Sequence, residues 1–494
     1  LSAWSGDWDA KVRINQENVE SIAGSQQVAP NGNSMRALVG RTYSLHRFIL
    51  ALSLTMAGCA TYRPAPLAPE AGLVRPDLAE AVALAPVAHP RLPAAVLRLD
   101  QPLGELDVAR LALLLNPELR AQRRQAGVAD AQLFAAGLLP DPQWSLAVDV
   151  PGTAGLVDAL TAGLGLDLGN LLARPAARQA SRHALEKVRL DIAWSEWLAI
   201  NQARTLCRRI HFLQVQADIA GQSTTVARRL FQLSAENKRR GDARLDETTI
   251  YQVAFIDAQD RHLAILRSLA QARLELNALL GLKPADELRL APPPPAGRFH
   301  LDSNQLMHDA IGQRLDLRAL REGYLAQESE LRRAVRASIP LPQLSWNRAR
   351  DTGGVWTRGV GVGLAVPIWN RGRGSIRIAS ANREQLAAEY EARVYQASMD
   401  IAGATSDLEA IEAQRAALAL ELPSLASSAD VLDKAARAGN VALLTAQTTR
   451  AALLDKQLVL SGLEQALAEG EVALDTAMGR LPGMATTQAT ESEQ

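Results

Sequence analysis

The chain has 494 residues, with 53 Lys plus Arg balanced by 53 Asp plus Glu, so its formal net charge is zero and nothing in the balance points to a nucleic-acid partner. Two cysteines exclude a disulfide framework. With aromatics at 4%, the length of two or three domains is filled by Ala, Leu, Arg, Glu and Gln, a composition of long helices packed through narrow seams rather than around bulky cores.

Residues 1–34 are unlike the rest, precede a start at Met35, and read as a non-native upstream extension. Residues 35–58 have the layout of a secretory signal: Arg36, Arg41 and Arg47, then a short apolar run from Phe48 to Met56, then Ala57-Gly58 before Cys59. That run is too short to span a bilayer. From 59 to 104 the chain is rich in proline (Pro64, Pro66, Pro69, Pro76, Pro86, Pro90), which predicts an extended tether.

The first repeat is expected over 105–290. Helical periodicity begins near Leu106 and runs through Leu111, Leu115, Leu119 and Ala126 to Leu138, where Pro140 stops it. Two strands follow, at about 143–150 and 160–168. Trp144, Leu146, Val148 and Val150 alternate with Gln143, Ser145, Ala147 and Asp149, and Leu160 to Leu168 alternate with Thr161, Gly163, Gly165 and Asp167. Helix is expected again from about Ala176, with a seam through Leu185, Ile192, Ala199, Leu206, Leu213 and Ala220. It breaks at about 239–246, Arg-Arg-Gly241-Asp-Ala-Arg-Leu-Asp246, and a second seam returns through Val253, Ile256, Leu263, Leu266, Ala270 and Leu274, which implies an antiparallel helical hairpin.

A Pro-rich linker at 291–302 leads into a second repeat at 303–485. Its strands fall at about 343–350 and 356–366, and its helix, expected from Ile376, breaks at about 437–444. The pairs Gly163 and Gly361, Gly241 and Gly439, Leu245 and Leu443, Gly281 and Gly479, and Pro284 and Pro482 each share one offset, 198 residues. Residues 486–494 are expected to be a disordered tail.

Four two-sided strands cannot close a barrel, and an open sheet edge does not survive in hydrocarbon. If the hairpins are embedded in a membrane, copies of the chain must pool them, and three copies give twelve strands. The Gly-x-Gly runs lie inside strands with no Gly-Lys-Ser/Thr following, which excludes a phosphate loop. The seven histidines show no ligand spacing. No nucleophile and base, or pair of acids, sits in a recognisable context. We expect no catalysis, no cofactor and no metal site.

This layout, with its Pro-x-Pro-Gln strand entries, the Val366-Pro-Ile-Trp-Asn-Arg-Gly-Arg-Gly374 strand exit and the two glycine tips, resembles the TolC-like outer-membrane efflux family from about Leu106 to Pro482. The first repeat departs from that pattern at Leu168–Arg174, and Asp242 and Arg244 make its tip more charged. The resemblance implies a mainly helical fold with a small β part: a homotrimer with a twelve-stranded barrel in the outer membrane and a helical tunnel in the periplasm. It also implies that the tips, Gly241, Asp242, Ala243, Arg244 and Leu245 with Gly439, Asn440, Val441, Ala442 and Leu443, dock a periplasmic adaptor protein that links the channel to an inner-membrane pump. Met56-Ala-Gly-Cys59 is similar to a lipobox, which implies acylation of Cys59 and anchoring in outer-membrane lipid. Such a channel is a passive duct for heavy-metal cations or for drugs and other organic solutes. The rival reading is a lipid-anchored periplasmic coiled-coil scaffold without a pore. Two details stay open at this level: Asp246 and Glu247 either ring a pore or merely solvate a helix end, and Trp144, Trp346, Trp356 and Trp369 either lie at a membrane interface or pack on helices.

Overall fold

The computed structural model describes residues 62–67, 87–89, 92–95, 97, 100–241, 245–295 and 303–479. The chain divides into two compact units, Leu1–Val74 and Arg75–Gln494. Of the first, residues 62–67 are described; they are exposed and without regular structure. Cys59 and the signal-like segment lie outside the described residues, as do 296–302 and the tail after 479.

The second unit opens with a short antiparallel pair, β1 (Val87–His89) and β2 (Leu92–Ala95). This modifies the expected tether, whose end is also tied down: the Leu103 N–H donates to the Arg289 carbonyl at 2.8 Å and the Ala291 N–H donates to the Leu103 carbonyl at 2.9 Å. Leu103 is buried there, because an apolar side chain beside the core has more to gain from burial than a solvated spacer has from freedom.

Repeat 1 consists of α1 (Glu105–Leu115), α2 (Pro117–Gly137), β3 (Gln143–Asp149), β4 (Ala159–Asp167), α3 (Leu168–Arg240) and α4 (Leu245–Leu280). Repeat 2 answers with α5 (Ser303–Gln313), α6 (Leu315–Ala337), β5 (Pro342–Arg350), β6 (Trp356–Leu364), α7 (Arg373–Arg437) and α8 (Leu443–Met478). Helix α3 starts earlier than the expected Ala176. The Asp167 side chain accepts the Gly169 N–H at 2.8 Å, a cap that lets the helix wind straight off the strand and through Pro175. Its 73 residues make a helix about 110 Å long at 1.5 Å per residue.

In repeat 2 the strand exit is not helical. Arg371 and Gly372 both adopt positive φ, 47° and 66°. A Cβ on Gly372 would lie 2.6 Å from the Ser338 Cβ, so this glycine is required by space as well as by backbone conformation.

The four long helices lie in the order α4-α3-α8-α7, with α2 against α3 and α6 bridging α3 and α7. The seam read on α3 is largely the buried one: Leu185, Ala199, Leu206, Leu213 and Ala220 are all buried. The seam read on α4 is not. Val253, Ile256, Leu263, Leu266, Ala270 and Leu274 face outward, and α4 packs on α3 instead through Ala258, Leu269, Ala272 and Leu276. Helix α4 therefore carries two apolar stripes, of which a single chain covers one.

Charged side chains join the repeats where α3 meets α8. Arg208 bonds Glu105 (2.8 Å) and Glu471 (2.6 Å), Arg204 bonds Glu105 and Asp475 (3.2 Å each), and Arg209 bonds Glu469 (2.7 Å). Burial alone would raise the Glu105 carboxyl, but hydrogen bonds and charge from Arg208 and Arg204 outweigh it and hold the group below its ordinary range.

Candidate functional site

Strands β3-β4-β5-β6 form one antiparallel sheet in chain order, so the two hairpins are joined through β4 and β5. Register assigns every side chain to a face. One face carries Trp144, Leu146 and Val148, then Leu160, Leu164 and Leu166, then Leu344 and Trp346, then Trp356, Val360, Val362 and Leu364. The other carries Ser145, Thr161, Gly163, Ser345, Asn347, Gly359, Gly361 and Gly363. Side chains on this second face fold over the glycines: a Cβ at Gly163 would stand 2.7 Å from the Ser145 Oγ and 2.8 Å from the Asn347 Oδ1. A polar, low-relief face opposite a bulky apolar one is the division that separates an aqueous lumen from lipid.

The apolar face is uncovered. Trp144, Trp346 and Trp356 are each about half exposed, and Trp369 on the strand exit is 91% exposed. In the single chain these tryptophans are left half to almost wholly open.

Both layers end in open edges drawn from different repeats. In the sheet these are β3 and β6; among the long helices they are α4 and α7. On α4 the outward stripe is apolar, with Val253 and Leu263 both 52% exposed, and on α7 Ile378, Tyr395, Met399, Leu420 and Val431 are likewise exposed. β3 and β6 run in opposite directions. An edge β6 of one copy can thus pair antiparallel with an edge β3 of the next.

At the far end of the helices the two tips differ in what is described. Gly241 caps α3 with φ 83°, exposed, its N–H donating to the Lys238 carbonyl at 3.1 Å. Asp242, Ala243 and Arg244 lie outside the described residues; Leu245 opens α4, and the side chains of Leu245, Asp246 and Glu247 are likewise outside. The second tip is complete. Gly439 has φ 79°, its N–H donates to the Ala436 carbonyl at 3.1 Å, and the Asn440 N–H donates to the Ala435 carbonyl at 2.9 Å, the paired bonds of a Schellman turn. Ala442 is the N-cap of α8, its carbonyl accepting the Thr445 N–H at 3.0 Å. Gly439, Asn440, Ala442 and Leu443 are exposed and Val441 is half-buried.

Cys207 is buried, and burial followed by the Glu105 charge pushes its thiol up to about 12, which leaves it protonated and inert. Among the described residues no three His, Cys, Asp or Glu side chains gather to hold a metal, and no helix is long and apolar enough to cross a membrane. The stripe of α4 was legible but assigned to the hairpin's own seam, and two site-level features escaped the sequence reading: the buried ion seam, and three arginines on the apolar face of the sheet, Arg348, Arg350 and Arg358. The alternation of β5 and β6 contains the last of these, since their positions share the parity of Trp346 and Val360.

A family model described as outer membrane efflux protein matches residues 306–480, which is repeat 2. The pyoverdine export outer membrane protein OpmQ of Pseudomonas putida aligns at 25% identity over 472 residues, 89% of this chain and 98% of that one. The chain is therefore similar to outer-membrane efflux proteins, most directly in repeat 2. Solved channels share the fold at low identity. OprN superposes with a TM-score of 0.62 at 18% identity, covering 85% of this chain and 99% of that one. CusC gives 0.61 at 17%, covering 85% and 100%, and VceC of Vibrio cholerae gives 0.61 at 17%, covering 76% and 95%.

Proposed function

We propose that three copies of this chain close into a channel that serves as the exit duct of a tripartite efflux system. The observation that carries the reading is the coincidence of open edges: sheet and helix layer are both unfinished, each with one edge from each repeat. Head-to-tail interfaces of this kind close into rings. Three copies supply twelve strands and turn every apolar face outward.

The turns at Gly241–Leu245 and Gly439–Leu443 are the docking points for a periplasmic adaptor, through which an inner-membrane pump supplies the energy; the duct itself is passive. Turns that expose backbone groups and small side chains suit insertion of a partner's helical hairpin. Cys59 carries a lipid anchor, by the Met-Ala-Gly-Cys run. The likeness to a pyoverdine exporter along nearly all of both chains supports an organic solute as cargo over heavy-metal cations.

Planar-bilayer conductance of the protein purified from outer membranes tests the duct. Discrete, long-lived conductance steps are expected. Protein that is folded by circular dichroism yet never conducts, with or without added adaptor, favours the poreless scaffold.

A further inference from the structure

The outward face of β5 and β6 changes character along its length. From the helical end the rows are Pro342 with Leu364, Leu344 with Val362, and Trp346 with Val360; then come Arg348 with Arg358, and Arg350 with Trp356. The first rows continue as apolar residues across β3 and β4, through Leu166 and through Trp144 with Leu164. Eight residue steps at 3.4 Å, on strands tilted by about 40°, give these rows a height of roughly 20 Å.

Arginine on the lipid face of a barrel costs about 2–4 kcal/mol at the midplane and about 0–1 near the interface. The Arg348 and Arg358 row therefore marks the level at which hydrocarbon gives way to headgroups. It lies at the hairpin end away from the helices, on the outer-leaflet side of a channel whose helices are periplasmic.

These arginines are free. Arg348, Arg350 and Arg358 make no ion pair among the described residues. The Arg348 guanidinium stacks 4.9 Å from the Trp356 ring centroid. The Arg350 Nε is shielded from solvent yet donates to no acceptor. Nearby carboxylates do not answer them: Asp351 accepts the Val355 N–H at 2.9 Å, Asp149 lies on the lumen face, and Asp158 in the first hairpin's loop pairs with none of the three. Three forks without an ion pair on two adjacent rows, next to Trp356 and with an unsatisfied donor, complement a phosphate-bearing headgroup.

We propose that Arg348, Arg350 and Arg358 form a binding site for the phosphates of the outer-leaflet glycolipid, lipid A, one site per chain. The site rests on the outer-membrane channel reading and adds to it a bound lipid that holds the barrel at a fixed depth. Its asymmetry is part of the inference. In the same two rows β3 and β4 present Leu146 with Ala162 and Val148 with Leu160, so lipid A would contact each chain at the repeat 2 hairpin alone.

The test is native mass spectrometry of the full protein extracted in detergent from a lipopolysaccharide-producing host, reading subunit number and lipid adducts together. The delipidated protein is then titrated with lipid A and with its dephosphorylated form. The wild type is expected to retain lipid A adducts and to bind lipid A at least tenfold more tightly than the Arg348→Gln/Arg350→Gln/Arg358→Gln variant, and the dephosphorylated form is expected to bind both alike. A trimer whose triple variant binds lipid A as well as the wild type overturns the site and leaves the channel standing. Protein that forms no trimer fails the channel reading first. If the triple variant does not assemble, Arg358→Gln alone is expected to weaken lipid A binding about threefold, and an unchanged affinity overturns the proposal.

Discussion

The two repeats have the same backbone plan and different means of holding it. Helices α1 and α5, α2 and α6, and α4 and α8 begin 198 residues apart, yet the positions that join the elements are filled differently. At the junction before the second helix, repeat 1 has Asn116, whose Oδ1 accepts the Leu119 N–H at 2.9 Å and whose Nδ2 donates to the Leu279 carbonyl at 2.8 Å. Repeat 2 has Arg314, which donates to the Ala477 carbonyl at 2.8 Å, grips Asp316, and lies 5.1 Å from the Trp194 ring of the other repeat. The carbonyls reached, on Leu279 and Ala477, are equivalent. A neutral cap serves one copy and a buried ion pair the other, so the fold dictates that this carbonyl be met and leaves the chemistry free. The cores differ too: repeat 1 gathers Trp197, Ile200, Leu206, Ile210 and Leu280 around α1, α3 and α4, whereas repeat 2 relies on Ile401, Leu408, Leu467 and Leu474.

That contrast yields an order of expected effects. Trp197→Ala, which empties a fully buried site in repeat 1, should cost about 3–5 kcal/mol, against about 2–5 kcal/mol for Leu474→Ala in repeat 2. Denaturant melts of both variants compare them, and a smaller loss at Trp197 than at Leu474 would contradict this order. Arg208→Ala removes the guanidinium that Glu105 and Glu471 share in the seam between repeats, leaving Glu105 with Arg204, and should cost about 3 kcal/mol. Near-wild-type stability would show that the Arg208 pairs do not carry this seam.

The junctions are next. Arg314→Ala leaves Asp316 buried with Arg393, at 2.7 Å, as its remaining ionic partner and should cost about 2–3 kcal/mol; Asn116→Ala should cost about 1 kcal/mol. Equal losses would remove the distinction between the repeats.

The smallest effect is on pH dependence. Burial raises the Asp316 carboxyl, but Arg314 and then Arg393 outweigh burial and hold it below its ordinary value of 3.8, as Arg208 and Arg204 hold Glu105 below 4.5. A depressed folded-state pKa gives stability that is fully present above the unfolded value and is lost as pH falls through the folded one. Thermal stability should therefore be flat above about pH 5 with respect to these groups and decline below it. Glu105→Gln should make the decline shallower; an identical slope would assign the acid sensitivity to other groups.

How much of this was legible in the sequence depended on whether one chain contains the partner of each pattern. The strands β5 and β6 and the tip at Gly439 were readable because alternation and a left-handed glycine are local demands. The start of α3 was misread by eight residues because Pro175 resembles a boundary, whereas Asp167 had already capped the helix. The α4 seam through Val253 and Leu266 was a true apolar stripe assigned to the wrong surface: periodicity says that a face wants cover, not which chain supplies it. The ion seam was invisible for a different reason, since Glu105, Arg208 and Glu471 are brought together across both repeats by folding alone.

The central claim is that one chain is an open segment whose β6 and α7 edges complete the β3 and α4 edges of the next. Native mass spectrometry of the detergent-extracted protein, run beside Leu263→Lys and Leu266→Lys on the outward stripe of α4, tests it most directly. The account predicts three copies for the wild type and a shift toward single chains for the lysine variants. A wild-type monomer, or variants that remain as oligomeric as the wild type, would contradict it.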